Sequence, residues 1–229
     1  MRPPRPSRRT ALRGVLAACL ALSAGCASGQ PPEVRRLQAE AAYERGFGDL
    51  KDGRLGAGLA GLREAVSLDP GNAKYHMVLG KWLLDLKQPA ARQEAIAELQ
   101  RAVELEPTNA YALNLLGAAL NEESRWGQAI DYFRRALAVP TYPEPQVARH
   151  NLAWALYNIG RLKEAEDSLR LALSLDPAFP EAYYTLGLVL VRQGRPEEAK
   201  LAFRRAQELA PDSLGGAAAA HLRALGDGG

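Results

Sequence analysis

Apolar residues between positions 39 and 213 recur at intervals of three and four, which is the spacing of one face of an α-helix. The apolar stripes stop at turn or helix-ending residues such as Gly160, Pro177 and Gly194. Glycine lets the chain turn tightly, and proline lacks the N–H group that a continuing helix needs. The pattern therefore predicts an all-α chain of short amphipathic helices joined by turns.

One short pattern of residues repeats along this region. An alanine is followed by Leu or Phe four residues later, by a second alanine after three more and by a proline after five more. The pattern begins at Ala95, Ala165 and Ala199, and its first three members recur from Ala129. The stripes that precede the copies each carry one small residue: Gly80, Gly117, Ala153 and Gly187. Small residues on both stripes predict that the two helices of each copy pack closely.

These paired stripes resemble the tetratricopeptide repeat, in which about 34 residues form two antiparallel helices. The resemblance implies an α-solenoid, because one helix pair cannot bury its apolar face without a neighbour. Five repeats are assigned, to residues 39–72, 73–109, 110–143, 146–179 and 180–213. Residues 214–229 are interpreted as a C-terminal capping helix and tail.

Three local departures from the repeat pattern lead to further expectations. The first repeat carries Arg45 and Gly58 where Leu and Ala are usual, and Gly56 with Gly58 predicts a loose helix. The two glycines at 215–216 predict a hinge. The second repeat has three extra residues, which are assigned to its inter-helix loop around Gln88.

The first 26 residues have the organisation of an export signal. An arginine-rich segment precedes an apolar run at residues 14–24, far shorter than the ~20 residues that span a bilayer. The run leads into LSAGC, which ends at Cys26 and resembles the lipobox of bacterial lipoproteins. The resemblance implies a cleaved signal peptide of residues 1–25, an acylated Cys26, and a tether and helix lead-in over residues 26–38. The alternatives are an ordinary signal peptide cleaved nearby, or a buried helix with an incidental cysteine.

The residue after the cysteine bears on which of the two bacterial membranes would receive the lipoprotein. It is Ala27, whereas an aspartate there would resemble the signal that retains lipoproteins in the inner membrane. The implied location is the outer membrane, on its periplasmic face, with the acyl chains as the membrane anchor. Arg8 and Arg9 also resemble a twin-arginine export signal. The alternative is a Sec signal whose basic segment happens to contain two adjacent arginines.

Composition and charge narrow the class of function. The chain is 47% hydrophobic and 24% charged, which excludes wholesale disorder. Five of the 29 basic residues precede Cys26 and no acid does, so the remainder carries 24 basic against 26 acidic side chains. This balance argues against nucleic-acid binding. The only other cysteine is Cys19, and His76, His150 and His221 fall in different repeats without metal-ligand spacing. No enzymatic activity, cofactor or metal is expected.

An irregular linker joins the third and fourth repeats. Residues 136–145 contain Pro140, Pro143 and Pro145, which predicts an extended, stiff connection. This linker and the asparagine-bearing helix after it resemble those of the type IV pilus pilotins, the PilF, PilW and Tgl group. The resemblance implies an outer-membrane lipoprotein scaffold that binds the secretin subunit and promotes its assembly into a multimeric pore. The alternative is that the prolines accommodate a kink in a generic array.

The first helix of each repeat is expected to line a binding groove with its second, fifth, ninth and twelfth positions, which share one helix face. An aromatic floor with asparagines in it suits an extended peptide whose backbone needs amide partners. The candidate groove residues are Lys74, Met77, Lys81, Tyr111, Asn114, Asn121, His150, Trp154, Tyr157 and Tyr184. The alternative for the aromatic members is that they wedge between repeats as core.

Two further functions remain open from the sequence. A general periplasmic adaptor would keep the lipid anchor and the groove but serve another envelope protein or a protease. A receptor for a small amphipathic ligand would require a closed apolar pocket.

Overall fold

The computed structural model describes residues 31–226, within which eleven α-helices and no strand are present. The helices are α1 (Pro32–Lys51), α2 (Leu55–Leu68), α3 (Ala73–Asp85), α4 (Pro89–Leu105), α5 (Ala110–Glu122), α6 (Trp126–Leu137), α7 (Pro145–Asn158), α8 (Leu162–Leu175), α9 (Pro180–Arg192), α10 (Pro196–Leu209) and α11 (Gly215–Ala224). The predicted signal peptide, its lipobox and Cys26 lie outside the described residues.

Ten of these helices form five successive pairs, from α1 with α2 to α9 with α10, and α11 packs on α10. Each pair is joined by a three-residue turn whose middle residue is in the left-handed region. Gly160 takes this place with φ at 80°, whereas Lys87 and Ser124 take it with φ at 53° and 57°. The arrangement confirms the all-α fold class, an α-solenoid of tetratricopeptide repeats with a C-terminal helix.

Close packing within a pair depends on the small residue of its first helix. A Cβ atom on Gly117 would lie 2.6 Å from Cε1 of Phe133, and a Cβ atom on Gly187 would lie equally close to Phe203. Both phenylalanines are fully buried, so the rings occupy the space that a larger residue would need. In the fourth repeat Ala153 takes the same position, and the residue equivalent to Phe133 is a leucine.

The glycine-rich helix α2 is tightly packed, so the expectation of a loose helix was wrong. A Cβ atom on Gly61 would lie 2.7 Å from Cα of Gly46, and one on Gly58 would clash with the side chain of Leu50. The backbones of α1 and α2 therefore approach each other more closely than any residue with a side chain allows. Gly56 differs, because its Cβ position faces open space.

Two further expectations placed residues in connections that the structure places in helices. The three extra residues of the second repeat lengthen α4 to 17 residues, and the turn before α4 has the same length as the others. Pro89 is the first residue of α4, a position where the missing N–H group costs no hydrogen bond. Gly215 and Gly216 form the first turn of α11 rather than a hinge.

The linker between the third and fourth repeats folds into a turn, so the expectation of an extended connection was wrong. The N–H of Tyr142 donates to the carbonyl oxygen of Val139 at 3.2 Å. Pro140 lies at the second place of this turn, where its fixed φ is favourable. The Tyr142 side chain is buried edge-on against Tyr111, with 5.5 Å between ring centroids. Pro145 is already the first residue of α7.

The first helix begins earlier than the predicted start of the repeat array. Residues 32–38, assigned to the tether and lead-in, form the first turns of α1 and are all exposed. Within residues 31–226, no helix combines the length and the apolar character that crossing a membrane would require.

The buried apolar residues divide into two clusters that meet within α4. The first cluster contains 12 residues from α1, α2, α3 and the start of α4, and ends at Ala95. The second contains 32 residues, begins at Ile96 and continues to α11. The boundary between the two parts of the core therefore lies within the second repeat, at residues 95–96 of α4.

Candidate functional site

Trp154 lies on α7 at the centre of the candidate groove, and 37% of the residue is exposed. Its indole stacks on Tyr157, with ring centroids 5.6 Å apart and 19° between the ring planes. The guanidinium of Arg192 lies 4.7 Å from the centroid of the Tyr157 ring, and its Nη1 donates to the Tyr157 carbonyl oxygen at 2.8 Å. These contacts hold Tyr157, so the indole of Trp154 rests on a fixed support and presents apolar surface to a partner.

Two cavities flank Trp154 and Asn151. The α5–α7 cavity has a volume of about 210 Å³ and is lined by Ala118, Asn121, Glu122, Asn151 and Trp154. The α7–α9 cavity has a volume of about 260 Å³ and is lined by His150, Asn151, Trp154, Glu181, Tyr184, Thr185 and Leu214. Small-molecule sites usually measure about 300–1,000 Å³. These cavities suit single side chains of a bound polypeptide better than a drug-sized ligand.

The asparagines of the groove are engaged with one another across α5 and α7. Nδ2 of Asn121 donates to the Asn151 carbonyl oxygen at 3.1 Å, and Nδ2 of Asn151 donates to Oδ1 of Asn114 at 3.2 Å. Asn114 and Asn121 are both buried. Oδ1 of Asn121 is buried without a hydrogen-bond partner in the described chain. These hydrogen bonds join the third repeat to the fourth at the base of the α5–α7 cavity.

His150 lies at the base of the α7–α9 cavity. Its Nε2 is 3.0 Å from the Thr185 hydroxyl, and its ring meets the ring of Phe179 with centroids 5.2 Å apart. Burial lowers the pKa of His150 below its ordinary value, although the nearby carboxylate of Glu181 acts in the opposite direction. The imidazole is therefore neutral at pH 7 and does not compensate the charge of Glu181.

The two carboxylates of the cavities differ in their partners. In the α5–α7 cavity, Oε2 of Glu122 accepts from Nε of Arg92 at 2.7 Å. In the α7–α9 cavity, Glu181 is exposed and makes no hydrogen bond or ion pair with any residue of the described chain. The α7–α9 cavity thus carries a negative charge that no basic side chain of the described chain pairs with, although Glu181 lies in the first turn of α9, where the helix N-terminus favours a carboxylate.

Tyr184 combines the two roles that the sequence left open. It lines the α7–α9 cavity, but it also packs edge-on against Phe203 and His221, with 5.7 Å between ring centroids in each case. Its hydroxyl lies 3.2 Å from Nε2 of His221. Tyr184 therefore links the groove to the C-terminal helix α11.

The predicted groove residues of the second repeat lie apart from the two cavities. Lys74 places Nζ 4.3 Å from the centroid of the Tyr43 ring, and Lys81 places Nζ 3.2 Å from Oδ2 of Asp85. Four of the predicted residues line a cavity: Asn121, His150, Trp154 and Tyr184. The six that line neither are Lys74, Met77, Lys81, Tyr111, Asn114 and Tyr157.

Sequence reasoning missed Asn151 and Thr185, which sit at the sixth position of their repeats. The groove rule selects other positions, so these two residues escaped it. The second and third repeats carry Val78 and Leu115 at that position. A polar residue replacing an aliphatic one in two successive repeats was the available signal. Within residues 31–226, no group of three or more His, Cys, Asp or Glu side chains is placed to hold a metal ion.

The tetratricopeptide-repeat family model matches residues 92–143 and 150–213, which together form just over half of the chain. The type IV pilus assembly protein PilF of Pseudomonas aeruginosa is 25% identical over 159 residues, covering 69% of this chain and 62% of that protein. The peroxisomal targeting signal receptor of Kluyveromyces lactis is 42% identical over 74 residues, covering 32% of this chain and 13% of the receptor. The matched part of the chain therefore covers less than two thirds of the length of each of these two curated relatives.

The crystal structure of PilW, described as a widely conserved type IV pilus biogenesis factor, has a similar fold. Its TM-score is 0.72 at 25% identity, and the match covers 82% of this chain and 86% of PilW. Similarity to PilF and PilW is therefore present in both sequence and fold. By its repeats, its helix pairs and its match to the family model, the chain belongs to the tetratricopeptide-repeat family.

Proposed function

We propose that this protein is a lipid-anchored pilotin, which binds the secretin subunit of a type IV pilus system and promotes its assembly in the outer membrane. The observation that carries the proposal is the similarity to PilF and PilW, which extends over 69% and 82% of the chain respectively. A tetratricopeptide fold alone would not support one function over another, because such arrays bind many unrelated partners.

The lipobox at residues 22–26 supports the membrane part of the proposal. Each buried CH₂ group of an acyl chain contributes about 0.8 kcal/mol, so two or more chains on Cys26 would hold the protein firmly. The anchor would bring the bound partner to the periplasmic face of the outer membrane. Ala27 is compatible with this destination.

The groove around Trp154 supports the binding part of the proposal. It offers an exposed indole on a fixed support and two cavities of side-chain size. Exposed aromatic surface next to pockets is typical of the central residues of protein interfaces. The proposed mechanism is binding and positioning, without a covalent step.

The decisive experiment measures secretin multimers in a strain that lacks this protein, on a gel loaded without boiling. We expect multimers to be lost and secretin monomers to remain. The wild-type gene should restore the multimers, and Cys26→Ala should not. Ala27→Asp is a sharper variant, because it should leave acylation intact and still remove the multimers by changing the destination membrane.

The groove is tested in the same strain with Trp154→Ala. We expect fewer multimers with an unchanged amount of membrane-bound protein. Leu175→Ala is the matched control, because Leu175 is 53% exposed on α8 and lines neither cavity. Undiminished multimers in the deletion strain would refute the pilotin role and point to an adaptor for another envelope protein.

A further inference from the structure

The two cavities beside Trp154 define what kind of segment the groove accepts, provided that the groove is the binding surface of the proposed function. Trp154 and Asn151 belong to both linings, while α5 completes one cavity and α9 the other. A polypeptide that enters both cavities must therefore cross α7 over the indole. Packed helices are separated by about 8–10 Å, and an extended chain advances about 3.3 Å per residue. The two inserted side chains are thus two or three residues apart.

The α5–α7 cavity is suited to an apolar side chain. The asparagine side chains at its base donate to one another's oxygen atoms, and the Glu122 carboxylate is paired with Arg92. Ala118 and the indole of Trp154 supply the remaining walls. A charged side chain entering here would lose its hydration without meeting an unpaired opposite charge, because Glu122 is already paired and the acceptor left free, Oδ1 of Asn121, is neutral. Its burial is therefore unfavourable.

The α7–α9 cavity has the opposite character. Glu181 is exposed at this cavity without an ion pair in the described chain, and the adjacent His150 is neutral at neutral pH. Trp154 and Tyr184 offer ring surface for the aliphatic stem of a long basic side chain. An indole face also attracts a cation.

We propose that the groove selects an extended segment with an apolar side chain for the α5–α7 cavity and, two or three residues away, a lysine or arginine that pairs with Glu181 in the α7–α9 cavity. Glu181 determines specificity, and Trp154 separates the two side chains. The occupant is thus a basic-apolar stretch of a protein partner.

The test uses three fluorescein-labelled nine-residue peptides and fluorescence anisotropy with the full chain. The first peptide has a leucine at its third place and lysines at its fifth and sixth places, with serine and glycine elsewhere. The second replaces both lysines with glutamates, and the third replaces them with glutamines. We expect the lysine peptide to bind about tenfold more tightly than the glutamate peptide, with the preference reduced in 1 M salt.

Variants of Glu181 give the sharpest result. Glu181→Gln should remove the preference, and Glu181→Lys should reverse it in favour of the glutamate peptide. Trp154→Ala should weaken every peptide. Glu208→Lys is the matched control, because Glu208 is an exposed carboxylate on α10 that lines neither cavity and should leave the preference unchanged. Equal binding of all three peptides, no binding of the lysine peptide, or a preference that survives Glu181→Lys would overturn the proposal.

The result is independent of the pilotin experiment. A charge preference that reverses with Glu181→Lys, in a protein whose deletion leaves secretin multimers intact, would retain the groove specificity and reject the pilotin role. Lost multimers together with no charge preference would retain the pilotin role and reject the specificity.

Discussion

His76 is held between two hydrogen-bond acceptors from different parts of the chain. Its Nδ1 lies 2.6 Å from Oε2 of Glu98, and its Nε2 lies 3.1 Å from the Pro70 carbonyl oxygen. Only the doubly protonated ring can donate to both. Burial by itself lowers the pKa of His76, and Arg101 does so weakly, but the hydrogen bonds to Glu98 and Pro70 outweigh them and raise it. Folding therefore favours the charged, doubly protonated form of His76.

His76, which is buried, and His150, which is half-buried, should give opposite dependences of stability on pH. Since the pKa of His76 is raised by folding, its contribution is fully present below about pH 6.5, the ordinary histidine value, and is lost as the pH rises through the folded pKa. Since the pKa of His150 is lowered, its contribution is present above about pH 6.5 and is lost as the pH falls through the folded pKa.

Urea unfolding between pH 5.5 and 8.5 separates the two effects. His76→Gln should remove a contribution that stabilises the wild-type protein most at low pH. The free energy of unfolding of the variant should therefore increase more, or decrease less, between pH 5.5 and 8.5 than that of wild type. His150→Gln should show the opposite change, and each variant is the control for the other. Identical pH profiles for wild type and His76→Gln would contradict the charged state inferred for His76.

At the scale of the helix pair, the turns offer a direct test of backbone strain. Lys87 and Ser124 adopt positive φ at the place where three other turns have glycine. A non-glycine residue in the left-handed region costs about 1–2 kcal/mol, and replacing it with glycine removes this cost. Glycine also gives the unfolded chain more conformational freedom, which offsets part of the gain in stability. We therefore expect Lys87→Gly and Ser124→Gly each to raise the free energy of unfolding by about 0.5–1 kcal/mol in urea titrations. Gly160→Ala should lower it by a similar amount, and a stabilising Gly160→Ala would count against this account.

The packing within a pair gives a second prediction at this scale. Gly117→Ala gains about 1 kcal/mol of helix propensity, but its Cβ would lie 2.6 Å from the buried ring of Phe133, and overpacking costs about 1–3 kcal/mol. The difference is a net loss of up to about 2 kcal/mol in thermal or chemical unfolding. Gly127→Ala is the matched control, because nothing lies near its Cβ position, and it should be neutral or stabilising.

The fourth repeat suggests how to rescue the overpacked variant. It carries Ala153 and Leu169 at the positions of Gly117 and Phe133, and both are fully buried. Adding Phe133→Leu to Gly117→Ala should therefore recover part of the lost stability, since the pair then matches a combination that the array already uses. A double variant less stable than both single variants would argue against a direct contact.

Across the whole molecule, the division of the core predicts unequal local stability. The first cluster contains 12 buried apolar residues and the second 32, and they meet in α4. In a solenoid, stability is roughly a sum of repeat and interface contributions. We therefore expect amide hydrogens of α1–α3 to exchange through an opening of lower free energy than those of α5–α9.

Native-state hydrogen exchange measures this difference. Leu62→Ala should cost about 2–5 kcal/mol because Leu62 is fully buried in the first cluster, and the loss should appear in α1–α3 while α5–α9 keep their protection. Equal exchange free energies throughout, or an equal loss in both regions, would mean that the two clusters open as one unit.

The sequence was sufficient to predict the helix pairs, because helical period, small residues and helix-ending prolines are all local signals. It was insufficient where the environment of a residue depends on a segment that is distant in the sequence or on the next helix of the pair. Gly58 belongs to a tight contact only because Leu50 lies opposite it, and Tyr142 is buried only because the turn at Pro140 brings it to Tyr111. The groove residues were selected by position within a repeat, which identifies a helix face but not the cavities between helices. Asn151 and Thr185 became visible only when α5, α7 and α9 were placed side by side.

The substantial helix–helix packings of the described chain all lie within one repeat or between adjacent repeats. Among residues 31–226, none of these packings has to wait for a distant segment, and proteins dominated by such local contacts fold in microseconds to milliseconds. Each repeat can thus form its helices and dock on the one before it as soon as both are free to fold, without waiting for later repeats. An array that folds one repeat at a time leaves one open repeat face at its advancing end, and that face is what a chaperone would need to cover.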